Sequence, residues 1–247
     1  MSRKHRARPV PLLGRHRLGV PEASGVARLP DGRFLVVDDE RGPFLCRPDH
    51  APEVVATATP LSDLEGVAVS DDGASMWLLS ERDGSVWRGP VEGEDERPLT
   101  RLGALPRLGK RRNRGWEGLA WAPAPTLGGR DFLVATHQRQ PRVVGLFDPV
   151  TLAPHATFPL PRAARKSLGD LNDVTVHPQT GRLLVVSGRK ARLAELALAG
   201  GELELIHVWR LPGGKKDGVA EGISYDQHGS LWVVTDGEGW LYELGKP

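Results

Sequence analysis

The chain has a single cysteine, Cys46, among its 247 residues. It therefore has no intrachain disulfide and no cysteine-based zinc cluster. Cys46 sits in the apolar stretch Phe44-Leu45-Cys46, which reads as a strand, so the thiol is expected to be a small buried hydrophobe rather than a nucleophile. No apolar run is long enough to span a bilayer. The patterns G-x-S-x-G, H-E-x-x-H, the P-loop and the EF-hand are all missing, which removes the chemistries they carry. Charge of one sign is also lacking: 33 Lys and Arg face 31 Asp and Glu, a net charge of +2, and the total gives no case for nucleic acid. Met1 to Pro9 is basic but is followed by no apolar signal core. A loose basic tail over residues 1–9 and a cytoplasmic location are the expectations.

Turn formers, by contrast, are plentiful, with 30 Gly and 21 Pro, as many short strands joined by tight turns require. A repeat accounts for them. Five segments open at Ser24-Gly25-Val26, Glu65-Gly66-Val67, Glu117-Gly118-Leu119, Asn172-Asp173-Val174 and Glu221-Gly222-Ile223. Each continues through a turn such as Pro30-Asp31-Gly32 or Asp71-Asp72-Gly73 into a short apolar run such as Phe34–Val37 or Leu183–Val186. Such runs read as strands buried on both faces. The openers are spaced by 41, 52, 55 and 49 residues, the length of a four-stranded propeller blade. Only 26 residues follow Glu221, enough for three strands, while Val10 to Leu18 before the first opener reads as a strand. An all-β fold follows: a five-bladed β-propeller over residues 10–247, closed by the N-terminal strand pairing into the C-terminal blade. Closure removes two sheet edges that an open solenoid would leave exposed.

The segments DLEGVAVSDDGASMWLLSERDGSVWR, NRGWEGLAW, DLNDVTVHPQTGRLLVVSGRKARLAEL and VAEGISYDQHGSLWVVTDGEGWLYEL together resemble the SdiA-regulated family of bacterial propeller proteins. Arg114-Gly115-Trp116-Glu117-Gly118-Leu119-Ala120 carries a weaker likeness to the phytase-like esterase propellers. The resemblance implies a propeller with a bound calcium ion. This chain departs from the family's pattern in lacking the export or anchor segment common there, and in reading Asn172-Asp173 where a Glu-Gly or Ser-Gly opener is expected.

Equivalent positions on the first strand of every blade converge on a propeller's axis, which here gathers Ser24, Glu65, Glu117, Asn172 and Glu221, with Asp173 beside them. Buried carboxylates at close range repel unless protonated or matched by a cation. Oxygen-only donors suit Ca²⁺, or Mg²⁺, better than zinc. The alternative is that these groups bond backbone amides and join the blades around water. Loops at the same end carry Arg112 and Arg114, Arg139, Arg189 and Lys190, with Asp38, Glu81 and Asp236 among them. A cationic rim of this kind focuses an anionic small molecule. Nucleic acid is the more elaborate variant, with Trp116 and Trp121 stacking bases, although Trp in propeller strands is ordinarily core. His137, after the second strand of blade 3, is the histidine placed to act as a general base.

Two functions fit these residues. One is a calcium-dependent hydrolase of an ester, phosphoester or lactone, with Glu117 and His137 catalytic and the rim residues holding the substrate. The other is a non-catalytic binding or scaffold propeller whose ion braces the ring. A monomer with no membrane partner is expected in both.

Overall fold

In a computed structural model describing residues 7–93, 96–108, 115–212, 218–237 and 239–246, the strands of the described residues form five antiparallel sheets arranged as blades. Blade 1 comprises Ala23–Arg28, Phe34–Asp38, Gly42–Cys46 and Glu53–Val54. Blade 2 comprises Leu64–Val69, Ser75–Ser80, Ser85–Pro90 and Thr100–Ala104, and blade 3 Trp116–Ala122, Phe132–His137, Val143–Phe147 and Pro154–Pro159. Blade 4 runs Asp173–Val176, Leu183–Ser187, Arg192–Ala199 and Glu202–Arg210. Blade 5 takes Ala220–Tyr225, Leu231–Thr235 and Trp240–Leu244 from the C-terminus and Leu12–Arg17 from the N-terminus. The propeller and its closure are therefore as the repeat arithmetic requires, with Leu12 paired to Leu244 and Arg17 to Trp240.

The expected tail of residues 1–9 is shorter than its composition implies. Arg8–Pro9 pair in parallel with Trp209 and Arg210 as a fifth strand on blade 4, and the Val10 amide continues the ladder to the Arg210 carbonyl at 3.0 Å. Pro9 lacks an N–H, yet an outermost strand tolerates that because one side of its ladder needs no partner. The N-terminal segment thus ties blade 4 to blade 5.

Each blade's second strand is a continuous apolar run because both of its faces are covered by neighbouring blades. Five separate apolar clusters result, one for each pair of adjacent blades. The one between blades 5 and 1 holds Leu18, Phe34, Cys46, Trp232 and Leu241, and burial there pushes the Cys46 thiol up to about 12. It behaves as a packing residue. Trp116 is likewise buried, its indole N–H donating to the Pro106 carbonyl at 2.9 Å. Trp121 stacks on Trp77 with ring centroids 4.8 Å apart. Trp116 is thus a core residue, and one face of the Trp121 ring is taken by Trp77. The link between blades 3 and 4 contains a helix over Arg162–Ser167 that the sequence pattern did not reveal. Arg142 donates to the carbonyls of Leu168 at 2.7 Å and Arg165 at 3.1 Å, satisfying acceptors left open at a helix C-terminus.

At the axis the first strands crowd together. A Cβ on Gly66 would lie 2.5 Å from the Glu117 carbonyl oxygen, and one on Gly118 would lie 2.4 Å from the Asp173 Cα. Only glycine fits such an approach. In blade 4 the corresponding residue is Asp173, fully buried. Its carboxyl accepts backbone N–H bonds from Leu119 (3.2 Å) of blade 3, Val174 (2.8 Å) of blade 4 and Ile223 (2.9 Å) of blade 5. One side chain thereby joins three blades and fills the axis at that level. Removing an acceptor from three buried N–H groups costs about 1–3 kcal/mol for each one left unsatisfied. Asp173→Ala is therefore expected to destabilise the protein by roughly 3 kcal/mol or more, read by urea unfolding. Deletion through Arg17, which removes both N-terminal strands, is expected to lower Tm at the same time as it exposes the outer edges of blades 4 and 5; an unchanged Tm would rule out the double closure.

Candidate functional site

Strand pairing shows why the ring residues stand where they do. The register between first and second strands shifts at Ala23/Gly25, Leu64/Gly66, Trp116/Gly118 and Ala220/Gly222. Ser24, Glu65, Glu117 and Glu221 are the unpaired residues of four β-bulges, which redirect a side chain out of the alternating pattern. Asn172 precedes its strand, with its N–H donating to the Val186 carbonyl at 3.0 Å. The same backbone irregularity recurring around the axis turns five sequence-distant residues to one end of the channel.

They form local pairs rather than a symmetric ring. The Asn172 amide donates to the Glu221 carboxyl, while Ser24 favours the ionised form of Glu65 and Gln138 that of Glu117. The Asn172 carbonyl oxygen accepts the Gly188 N–H at 2.9 Å. Burial is the largest cause of every shift. It raises Glu65 to about 8, helped by the charges of Glu81 and Asp39. Glu221 also rises to about 8, with Asp236, Glu65 and Asp170 adding repulsion. Glu117, the most buried of the three, is pushed well above the usual carboxylate range by desolvation and by Glu65, Glu81 and Glu221. None of the three makes an ion pair with a described residue.

The surrounding acids are mostly spoken for. Asp38 accepts the backbone N–H groups of Glu40 and Arg41 at 3.1 and 2.8 Å and pairs with the Arg41 guanidinium at 3.4 Å, so it braces its own turn. Asp236 accepts the Val219 N–H at 2.6 Å. Glu81 receives a long bond, 3.4 Å, from the Gly115 N–H and stands beside Glu65 and Glu117 as a charge. The structure adds members that the sequence reading passed over. Asp63 pairs with Arg82. Asp170 accepts the Ser187 hydroxyl at 2.6 Å and the Arg139 guanidinium at 3.3 Å. Their signal was in the repeat: Asp63-Leu64 before Glu65 and Asp170-Leu171 before Asn172 are the same pair, placing an acid two residues before these two ring positions.

Of the expected cationic rim, Arg139 is committed to Asp170. Arg189 and Lys190 are exposed on a turn of 3-10 helix, and the Arg189 stem packs 3.0–3.2 Å from the position of a Cβ on Gly169. Arg112 and Arg114 lie outside the described residues. His137 is buried, with Nδ1 bonded to the Pro141 carbonyl at 2.8 Å and its ring edge-on to Trp116 at 5.4 Å. Burial lowers its pKa, and the Nδ1 bond ties the loop after its strand.

The set also bears on the calcium that the resemblance implies. The Asp173 carboxyl is taken up by three amides and the Asn172 amide by Gly188 and Glu221, while the Ser24 hydroxyl faces the Glu22 carbonyl at 3.3 Å. Among the described residues no three His, Cys, Asp or Glu side chains group closely enough to hold one metal ion. Calcium takes six to eight oxygens. The six-residue shell expected from the sequence does not fit this arrangement, and three carboxyls are what remain.

Comparison with known proteins follows the fold closely. The model of the family described as SdiA-regulated matches residues 24–240. Glutaminyl cyclase from Myxococcus xanthus is similar in structure with a TM-score of 0.66 at 15% identity, over 96% of this chain and 98% of that one. A structure of a nidogen/laminin complex gives 0.58 at 13% identity, over 90% and 86%. A Bacteroides thetaiotaomicron protein of unknown function gives 0.59 at 13% identity, over 90% and 59%. No curated protein matches by sequence. Likeness at such identities establishes a shared fold and carries no activity with it.

The raised carboxyls make stability depend on pH. Glu65 and Glu221 ionise near 4.5 in the unfolded chain and at about 8 when folded. Their contribution is complete below pH 4.5. It declines as pH rises, because the unfolded state releases its protons first, and it is gone above pH 8. Tm is expected to fall across that window, and Glu65→Gln with Glu221→Gln to flatten the fall. A Tm rising from pH 5 to 8, unchanged in the double variant, would contradict the assignment.

Proposed function

The chain belongs to the SdiA-regulated family, and on that premise we propose that its channel mouth is a small-molecule site performing acid–base hydrolysis of an anionic ester, phosphoester or lactone. One observation carries the reading: three glutamates held on recurring bulges at one end of the axis, with Glu65 and Glu221 lifted to about 8 and Glu117 raised well above its ordinary range. Carboxyls whose environments separate their proton affinities are the parts of a general acid and a general base. Glu117, the most buried of the three and raised well above the ordinary carboxylate range by desolvation, serves as the acid that donates a proton to the leaving oxygen. Glu65 and Glu221, near 8, are partly ionised there, and either accepts a proton from the attacking water. The exposed Arg189 and Lys190 hold the anionic part of the substrate. No step runs through a metal.

A second reading, binding without turnover, is favoured by a specific feature. Arg41, Arg82 and Arg139 already pair with Asp38, Asp63 and Asp170, so no described cation offsets the three glutamates. A calcium or magnesium ion beside one of them, rather than held by all three, would then supply counter-charge and brace the ring, and the bound anion would be cargo.

A panel of p-nitrophenyl esters and phosphates, assayed with and without EDTA, separates the two. Hydrolysis is expected to survive chelation. Glu117→Gln is expected to lower kcat by about 100-fold or more, the usual worth of a general acid, at an unchanged Tm. Full turnover in Glu117→Gln would remove the acid–base role. No turnover on any substrate, together with a calcium-dependent rise in Tm, would establish the second reading in its place.

A further inference from the structure

The axis has a second opening besides the glutamate mouth. A cavity of about 460 Å³ opens at the opposite end, where the first strands finish and the first hairpin turns of the blades begin. It is of the size that takes a drug-sized molecule. Its floor is a collar of branched aliphatic side chains, Val26, Val67, Leu119, Val174 and Ile223, each nearly fully buried. Between that collar and the glutamate mouth lie the glycine row and the Asp173 carboxyl. The wall is held by two bonds between blades: the Arg28 N–H donates to the Ser224 hydroxyl at 2.9 Å, and the Tyr225 N–H to the Thr175 hydroxyl at 3.1 Å.

One cationic side chain lines this apolar cavity. The Arg28 guanidinium lies over the Phe34 ring at 4.3 Å and near the Trp232 ring at 5.0 Å. It makes no ion pair with a described residue, and its Nη1 is buried without a hydrogen-bond partner. The acids whose charge reaches it are Asp226, which also lines the cavity, Asp31 and Glu243, and none of them ion-pairs with it. Asp31 bonds the Arg33 guanidinium at 2.6 Å, and Asp226 accepts the backbone N–H groups of His228 and Ser230. A half-buried guanidinium on two aromatic rings, left short of acceptors, is costly unless an acceptor arrives. On the far wall Trp121, stacked on Trp77, also has an indole N–H without a partner.

We infer that this cavity is a second binding site, taking a small molecule with a flat apolar body and a single carboxylate or sulfonate head held by Arg28. The apolar collar and the Trp121 wall receive the body. Asp71 at the rim, beside Asp131 and Asp72, limits the ligand to one negative charge, because a polyanion would meet a like-charged edge. The site stands apart from the chemistry proposed for the glutamate mouth and does not rest on it.

The probe is 8-anilinonaphthalene-1-sulfonate, followed by its fluorescence on titration into the native protein. One saturable site is expected. Arg28→Met, which keeps the stem on its rings, is expected to weaken binding about tenfold or more, as loss of a charge-assisted hydrogen bond does, and Arg28→Lys to recover part of it. Val69→Trp, placed on the cavity wall, is expected to block the probe even if Arg28→Met fails to fold. Glu117→Gln is expected to leave the affinity unchanged. Absence of a saturable component, or equal affinity in a folded Arg28→Met or Val69→Trp, overturns the inference. So does loss of binding in Glu117→Gln, which would place the probe at the other end.

Discussion

The crowding of five first strands about the axis is the constraint on which the rest of this molecule depends. Backbones approach so closely there that a Cβ is excluded at Gly66 and Gly118, and the ladder answers with a bulge one residue earlier in four of five blades. The bulge delivers Ser24, Glu65, Glu117 and Glu221 to the channel mouth. Packing and chemistry are thus set by one piece of backbone geometry. The polar residue before each glycine is the by-product of closing the ring tightly, and the repeat turns that by-product into a cluster of carboxyls.

Blade 4 breaks the repeat, and the break has a use. Asp173 stands where glycine stands in the other four blades, and its carboxyl is buried against backbone N–H groups of three consecutive blades. A carboxyl in that position is kept neutral or charged by a balance between desolvation, which raises its pKa, and the three donors, which lower it; desolvation prevails. It also lies between the glutamate mouth and the apolar cavity. The propeller is therefore a ring with two distinct ends: acidic and polar where the first strands begin, apolar with one arginine where they finish.

The sequence carried the blade count, the closure and the ring positions, because these follow from a repeat with a glycine at a fixed offset. It also contained the Asp63 and Asp170 positions, which a closer alignment of the repeats exposes. Other features were out of its reach for physical reasons. Hydrogen-bond commitments are set by distances of tenths of an ångström, so Asn172 and Asp173 read as free oxygen donors until their amide partners are visible. His137 reads as a loop histidine poised for proton transfer, yet it is buried against Trp116 and the Pro141 carbonyl. The Arg162–Ser167 helix is too short to show a period. The apolar cavity is a property of how five strand ends diverge, and no single segment encodes it.

The account stands on the claim that Glu65, Glu117 and Glu221 share a desolvated, mutually repelling environment that holds protons near neutral pH. A ¹³C NMR titration of the glutamate side-chain carboxyls, with Glu65→Gln, Glu117→Gln and Glu221→Gln to assign them, tests it most directly. Two carboxyls titrating near pH 8 and a third, Glu117, well above the ordinary carboxylate range is the predicted result, with each Gln variant shifting its neighbours downward. Titration of all three in the ordinary range near pH 4.5, independent of one another, would contradict it.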